Sequence, residues 1–212
     1  MNLHHHYFYF KKALTPRFCD ELIDYGNRQK EQLALTGGYQ EKIKKNQDLS
    51  QEELNDLKQK RDSNIVWLND NWIYKEIHPY INLANEQAGW NFQWDWSESC
   101  QFTKYKLNQY YDWHCDSWEL PYNEPNDLTR HGKIRKLSVT CSLSNPEDYE
   151  GGELEFDFRN TDPDKPQVRK CAEIQERGSI VVFPSHVWHR VKPVTKGTRY
   201  SLVIWNLGYP FK

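Results

Sequence analysis

The chain lacks the features that mark several large classes of protein. Its five cysteines, at positions 19, 100, 115, 141 and 171, form no Cys-x-x-Cys pair, so we expect neither a disulfide framework nor a structural zinc site. Its longest apolar runs, such as IVVF at 180–183, are far too short to cross a bilayer. The start, MNLHHHYFYFKK, lacks the basic head and apolar stretch of a signal peptide. A net charge of −2 gives no basic surface for nucleic acid. We therefore expect a cytoplasmic protein without a membrane partner, and the charge argues against a nucleic-acid partner.

The first third of the chain carries helix signals. Thr15 followed by Pro16 is typical of an N-cap and the first helical position. Further on, residues 72–88 have the apolar spacing of an amphipathic helix, which we expect to be interrupted or restarted near Pro79. Two helices are therefore predicted on either side of a more polar stretch.

That polar stretch, at about 28–61, has few apolar residues and dense charge. Ser50 with Glu53 three residues later forms the sequence pattern of a capping box, which predicts a short solvated helix over residues 51–60. We interpret the stretch as a polar surface insertion, because charge runs are mostly solvated faces. A mobile flap and a partner site are the alternatives.

From residue 90 onward the apolar period changes to two, which favours strands. The predicted strands are 92–96, 99–106, 111–116, 134–144, 152–158, 168–174, 179–184, 188–191 and 200–207. Arg135 and Lys136 are interpreted as surface charges. Short strands at regular spacing after a helical region indicate a mostly β fold: a double-stranded β-helix, or jelly roll, with the N-terminal helices packed on one face. We predict one structural domain, in which residues 1–98 support a jelly-roll core of residues 99–212.

The run YDWHCD at 111–116 carries the first candidate ligands. His114 and Asp116 are two residues apart, so both side chains leave the same face of a strand. His189, in the run FPSHVWHR, can supply a third ligand. Two histidines and one carboxylate form the facial triad of non-haem ferrous oxygenases, which leaves one side of the metal open.

Arg199 follows His189 by ten residues, across the turn KPVTKGT. If the two strands are antiparallel neighbours, Arg199 lies alongside His189 inside the barrel. A buried arginine requires an anion, and a carboxylate matches its fork. Ser201 lies on the same face two residues later, and the phenol of Tyr105 is placed to reach the same carboxylate.

Together with GGELEF at 151–156 and GSIVVFPSHVWHRVKPVTKGTR at 178–199, these residues resemble the iron(II)- and 2-oxoglutarate-dependent dioxygenases. The resemblance is to the prolyl 4-hydroxylase-like, PKHD-type subgroup, and it covers about residues 101–207. A weaker similarity to the family's N-terminal helix lies in LTPRFCDELIDY at 14–25.

The resemblance implies an enzyme in which His114, Asp116 and His189 hold Fe(II). Arg199, helped by Tyr105 and Ser201, would bind the distal carboxylate of 2-oxoglutarate. Dioxygen is the second cosubstrate, ascorbate is the expected reductant, and the reaction hydroxylates a C–H bond while 2-oxoglutarate becomes succinate and carbon dioxide. No catalytic residue is expected beyond these ligands.

The chain departs from the family at Asn108, where a glycine is usual, and in the loop 118–131, which we interpret as a substrate lid. Tyr111, Trp118 and Trp188 are the candidate substrate contacts, although aromatic residues beside strands more often belong to a core.

Several alternatives stay open. A peptidyl proline is the first substrate that the resemblance implies, and a small molecule or free amino acid is the alternative. A nucleic-acid N-demethylase and a non-catalytic jelly-roll binding module are further alternatives. The oligomeric state is not predicted.

Overall fold

The helices begin at the capping signals found in the sequence. The computed structural model describes residues 5–35, 39, 42, 47–117, 120–158 and 168–211. Within them, helix α1 spans Pro16–Arg28, α2 spans Gln51–Lys60 and α3 spans Asn71–Gln87. Thr15 caps α1 through its side chain, and both hydrogen bonds of the predicted capping box are present at α2. None of the helices in these ranges is long and apolar enough to span a membrane.

The expected interruption at Pro79 is wrong, because α3 continues through it. Proline removes one backbone donor from a helix interior. Packing outweighs that loss here: Ile73, Ile77, Ile81 and Ala84 form one fully buried face. Burial of an amphipathic face contributes more to most protein helices than local propensity does.

Antiparallel strands make up the rest of the described fold. Their bounds are β1 Phe8–Phe10, β2 Gln32–Leu33, β3 Arg61–Asp62, β4 Asn64–Leu68, β5 Trp96–Ser97, β6 Cys100–Tyr105, β7 Tyr110–His114, β8 Ile134–Ser142, β9 Tyr149–Gly151, β10 Leu154–Asp157, β11 Val168–Lys170, β12 Ile180–Pro184, β13 Trp188–Val191, β14 Val194–Gly197 and β15 Arg199–Gly208. An eight-stranded sheet has the order β1-β12-β8-β15-β6-β4-β2, with β5 paired to β15. A five-stranded sheet has the order β11-β10-β13-β7-β3, and β9 pairs with β14.

Two apolar cores cover the two faces of the eight-stranded sheet. On the outer face, helices α1 and α3 pack on alternate residues of β8 and β15, such as Val139 and Ile204. On the inner face, residues including Phe156, Phe183 and Val191 fill the space toward the five-stranded sheet. The predicted mostly β jelly roll with helices on one face is confirmed.

Two predicted strands are shorter than expected. Within 92–96 only Trp96 is in a strand, because the side-chain amide of Asn85 bonds both the N–H and the carbonyl of Phe92 and so replaces a strand partner there. Within 168–174 the strand ends at Lys170, and a short 3₁₀ turn follows at Ala172–Ile174. Alternation of apolar residues therefore overestimated the strand content at both places.

The polar stretch at 28–61 is less solvated than predicted. Strand β2 pairs with β4 at the edge of the large sheet, and Ala34 and Leu57 are fully buried. Strands β1, β2 and β4 belong to the same sheet as the jelly-roll strands. The division into a support region and a core at residue 98 stays a prediction.

Candidate metal centre

The two candidate histidine ligands are direct neighbours across two strands. His114 ends β7 and lies opposite His189 of β13, with ring centroids 4.1 Å apart. Asp116 completes the group, and one ligand atom from each residue lies within 4.8 Å of the other two. Asp116 and His189 are each 6% exposed.

Backbone carbonyls orient both imidazoles. Nδ1 of His114 donates to the carbonyl of Asp112 at 2.7 Å, and Nδ1 of His189 donates to that of Val187 at 3.0 Å. Nε2 of each ring is left for the site, 3.8 Å and 3.6 Å from the Asp116 oxygens. Burial, reinforced by the charge of His189, lowers the pKa of His114 well below its ordinary value. An imidazole with a free Nε2 lone pair is a good ligand for a divalent metal.

The sequence predicted that Asp116 shares a strand with His114. This prediction is wrong, because β7 ends at His114. The backbone N–H of Asp116 donates to the carbonyl of Ser185 at 2.9 Å. The Ser138 hydroxyl donates to Oδ2 at 2.7 Å and is itself 2.9 Å from the Ser185 hydroxyl. Burial on its own raises the pKa of Asp116, but His189, His114, Arg135 and this hydrogen bond lower it overall. The carboxylate is therefore ionised, and Asp116 is held by Ser138 within β8 and by Ser185 just after β12.

Arg199 lies in the other sheet from His189, so the predicted pairing of their strands is wrong. Strand β13 pairs with β7 and β10, while β15 pairs with β6 and β8, and β14 occupies the predicted turn between them. Arg199 reaches the inter-sheet space from the opposite wall. It is 2% exposed, and its Nη1 donates to the Ser201 hydroxyl at 3.3 Å.

Tyr105 lies directly opposite Arg199 in the register of β6 and β15. The guanidinium carbon of Arg199 is 5.5 Å from the centroid of the Tyr105 ring, which is 3% exposed. Asn108, in the turn after β6, has the left-handed φ of +64° that a glycine would otherwise supply. The structure thus brings the three predicted anchor residues, Arg199, Tyr105 and Ser201, together.

The three candidate substrate contacts are placed differently. Tyr111 stacks on the His114 ring, with centroids 3.5 Å apart and planes at 11°. Burial raises the pKa of Tyr111 to about 12. Trp188 precedes His189 on β13 and so lies on the opposite face of the strand, away from the site. Trp118 lies outside the described residues. Of the three, the structure brings Tyr111 to the site.

Arg135 is half-buried in an ion pair and Lys136 is buried, so their interpretation as surface charges is wrong. Arg135 donates from Nε and Nη2 to the two carboxylate oxygens of Glu98, at 3.1 Å and 2.6 Å, and lies 3.9 Å over the Trp205 ring. Lys136 is 5% exposed. Two adjacent basic residues before a strand look the same in the sequence whether they are solvated or paired inside the fold. The sequence therefore could not distinguish the two cases.

A groove of about 460 Å³ borders the Arg135–Glu98 pair. It lies between strand β4 and the described part of the loop predicted as a lid, with Trp67 on one side and Thr129 and Arg130 on the other. Arg135 lines the groove and stacks on Trp205, which lies opposite Ser138 in the register of β15 and β8. Cross-strand partners share a sheet face, so Trp205 and Ser138 lie on the same side of the sheet. The groove therefore opens on the site-facing side of the large sheet.

The comparison with family models decides the family. Residues 100–206 match the model described as the 2OG-Fe(II) oxygenase superfamily. The chain belongs to this superfamily. Its members use Fe(II), 2-oxoglutarate and dioxygen, and a cluster of two imidazoles and one carboxylate is a donor set that suits ferrous iron.

Part of the chain is similar to PKHD-type hydroxylases. One from Synechococcus sp. (strain JA-2-3B'a(2-13)) is 39% identical over 79 residues, which are 37% of this chain and 32% of the relative. One from Pseudoalteromonas atlantica is 31% identical over 105 residues, which are 50% of this chain and 41% of the relative. The chain therefore spans less than half the length of these relatives.

Solved structures share the fold. The viral collagen prolyl hydroxylase from Paramecium Bursaria Chlorella virus-1, in its 2OG complex, has a TM-score of 0.59 at 20% identity and covers 96% of this chain and 97% of its own. A Pseudomonas putida prolyl-4-hydroxylase has a TM-score of 0.59 at 18% identity, covering 95% and 92%. A Trichoplax adhaerens prolyl hydroxylase, solved with a peptide fragment of hypoxia inducible factor, has a TM-score of 0.58 at 17% identity, covering 95% and 83%.

Proposed function

We propose that the protein is an Fe(II)- and 2-oxoglutarate-dependent dioxygenase that hydroxylates a C–H bond of its substrate. The observation that carries the proposal is the convergence of His114, Asp116 and His189 within 4.8 Å, with both imidazoles oriented by backbone carbonyls. Bound iron would supply dioxygen activation coupled to the oxidation of 2-oxoglutarate. The protein's own groups hold the metal, orient the cosubstrate and exclude water.

On the metal side, Nε2 of His114 and of His189 and one oxygen of Asp116 are the proposed ligands. The hydrogen bond from Ser138 to Oδ2 fixes the rotation of the Asp116 carboxylate, so the ligand oxygen is presented without further ordering. Three protein ligands on one side leave the other side for the cosubstrates.

On the cosubstrate side, Arg199 is the proposed anchor for the distal carboxylate of 2-oxoglutarate. Its guanidinium is buried, its hydrogen-bond partner is the neutral Ser201 hydroxyl, and no carboxylate among the described residues pairs with it. A carboxylate would accept two parallel hydrogen bonds from such a fork. Tyr105, opposite Arg199, contributes its phenol to the same end.

For the substrate we propose a peptidyl proline first, since structures of the same fold are prolyl hydroxylases and one of them holds a peptide. A free amino acid or other small molecule is the second candidate, because Arg61, whose Nη2 is buried without a hydrogen-bond partner among the described residues, lies beside Tyr111 and suits a carboxylate. A cytoplasmic location and ascorbate as reductant stay predictions.

The test is to load the purified protein with ferrous iron and to measure iron content and succinate formed from 2-oxoglutarate. We expect one bound iron and steady succinate formation in wild type, with both lost in His114→Ala. His186→Ala is the matched control, because His186 is exposed in the turn before β13 and should leave both values unchanged. A wild-type protein that binds no iron and forms no succinate would contradict the proposal.

A further inference from the structure

Arg61 is a buried cation at the edge of the candidate site. It follows helix α2 and begins β3, the edge strand of the five-stranded sheet. Its cross-strand partner in β7 is Tyr111, and it is 4% exposed. The end of the polar stretch therefore brings a positive charge into the interior, where the sequence predicted only solvated charge.

The contacts of Arg61 leave its charge without an anion. Nε donates to the Ser63 hydroxyl at 2.9 Å, and the guanidinium carbon is 4.4 Å from the centroid of the Tyr111 ring. Nη2 is buried and has no hydrogen-bond partner among the described residues, where no carboxylate pairs with Arg61 either. Removing a cation from water without an anionic partner is costly.

A stack of planar groups links this guanidinium to the metal ligands. Arg61 covers one side of the Tyr111 ring, and Tyr111 in turn stacks at 3.5 Å on the ring of His114. A single aromatic ring therefore separates the Arg61 guanidinium from a candidate metal ligand. Local features that cost stability are expected where a protein binds its ligand.

We propose that Arg61 receives a carboxylate of the substrate, an inference that rests on the proposed function. A carboxylate neutralises the charge and accepts from Nη2, and a charge-assisted bond of this kind is stronger than a neutral one. The distal carboxylate of 2-oxoglutarate has its own anchor in Arg199, which lies on the opposite sheet. Arg61 is thus free for the second organic ligand.

The carboxylate could come from two sources: the α-carboxylate of a free or C-terminal amino acid, or the side chain of an acidic residue beside the hydroxylated one. Two matched probe pairs separate them. The first pair is N-acetyl-proline and N-acetyl-prolinamide. The second is the blocked dipeptide amides acetyl-Glu-Pro-NH₂ and acetyl-Gln-Pro-NH₂.

The experiment is calorimetric titration of each probe into protein loaded with manganese and 2-oxoglutarate, which avoids turnover. We expect the acid of one pair to bind wild type about tenfold or more tightly than its amide, because a hydrogen bond to a charged group is worth at least that much. The preference should fall to about one in Arg61→Met and survive in part in Arg61→Lys. The pair that shows the preference identifies the source.

Arg190→Met is the matched control, because Arg190 is also stacked on an aromatic ring, that of Trp113, but is already paired with Glu155. It should keep the wild-type preference. Equal binding of acid and amide to wild type in both pairs, including no binding by any probe, would overturn the proposal. So would a preference that survives Arg61→Met.

Thermal unfolding distinguishes a receptor from a structural arginine. If Arg61 binds a ligand anion and is unpaired without it, Arg61→Met should leave Tm at or above the wild-type value. The substitution removes a buried charge that has no anionic partner among the described residues. A marked fall in Tm with an unchanged acid preference would assign Arg61 to the fold and overturn the proposal. Failure of the same wild-type preparation to bind metal or 2-oxoglutarate would instead refute the proposed function.

Discussion

The two sheets of the jelly roll contribute to the candidate site in different ways. The five-stranded sheet supplies both histidines from neighbouring strands, His114 opposite His189, so the strand register alone places them together. The eight-stranded sheet supplies Arg199 and Tyr105 as a second cross-strand pair. Within each half, hydrogen-bonded register sets the geometry. Between the halves, the packing of the inter-sheet core and the hydrogen bonds of Asp116 to Ser138 and Ser185 set the distance. The spacing of residues along the chain does not reveal these non-local contacts.

The largest expected effect is on metal affinity, and it should distinguish a residue of the five-stranded sheet from one of the eight-stranded sheet. His189→Ala should weaken metal binding by more than about 100-fold, which exceeds the loss typical of outer-shell changes. Arg199→Ala should bind the metal as wild type does, because no Arg199 atom is among the clustered ligand atoms. Equilibrium titration with manganese or ferrous iron measures both, and equal losses in the two variants would mean that the halves are not separate.

A smaller effect is expected at Ser138, a residue of the large sheet whose hydroxyl contacts Asp116. Ser138→Ala removes the hydroxyl that holds Asp116, so metal affinity should fall about tenfold. Ser142→Ala, a buried serine on the same face of β8, is the control and should leave metal affinity unchanged. Identical affinities in wild type and Ser138→Ala would show that Asp116 is positioned by its backbone contacts instead.

The smallest expected effect on cosubstrate binding comes from Gly152, which packs against the Arg199 side chain. A Cβ at Gly152 would lie 2.9 Å from Cδ of Arg199, and the residue has a φ of +63°. Gly152→Ala should therefore raise the 2-oxoglutarate requirement several-fold and destabilise the protein by about 1–3 kcal/mol. Gly132→Ala shares the positive φ of +73° but meets its nearest atom at 3.6 Å, so it should lose stability without a change in the 2-oxoglutarate requirement. Denaturant unfolding and succinate kinetics on both variants measure the difference.

The sequence predicted the elements better than their arrangement. Capping residues Thr15 and Ser50 marked helix starts correctly because capping is a local interaction. The alternation at 134–144 predicted a strand there, and β8 spans Ile134–Ser142. The pairing of β15 with β13 was predicted from a short connection, yet that connection contains β14 and crosses to the other sheet. Sheet membership depends on non-local pairing, which a run of residues does not encode.

The same limit explains which site residues were missed. His114, Asp116, His189 and Arg199 were predicted because their residue types and spacing are distinctive. Arg61 and Ser138 come from segments without such a pattern, and their roles depend on which strand lies opposite. Ser138 did leave one signal: it is a polar residue between apolar neighbours on a central strand, where both faces are buried.

The central claim is that one wall of the barrel holds the metal while the other recognises a distal carboxylate. The most direct test compares the binding of 2-oxoglutarate with that of 2-oxobutyrate, which lacks that carboxylate, to manganese-loaded protein. We predict that wild type prefers 2-oxoglutarate by about tenfold or more and that Arg199→Met binds the two almost equally, since a charge-assisted pair is lost. Equal binding of the two acids by wild type, or an undiminished preference in Arg199→Met, would contradict the claim.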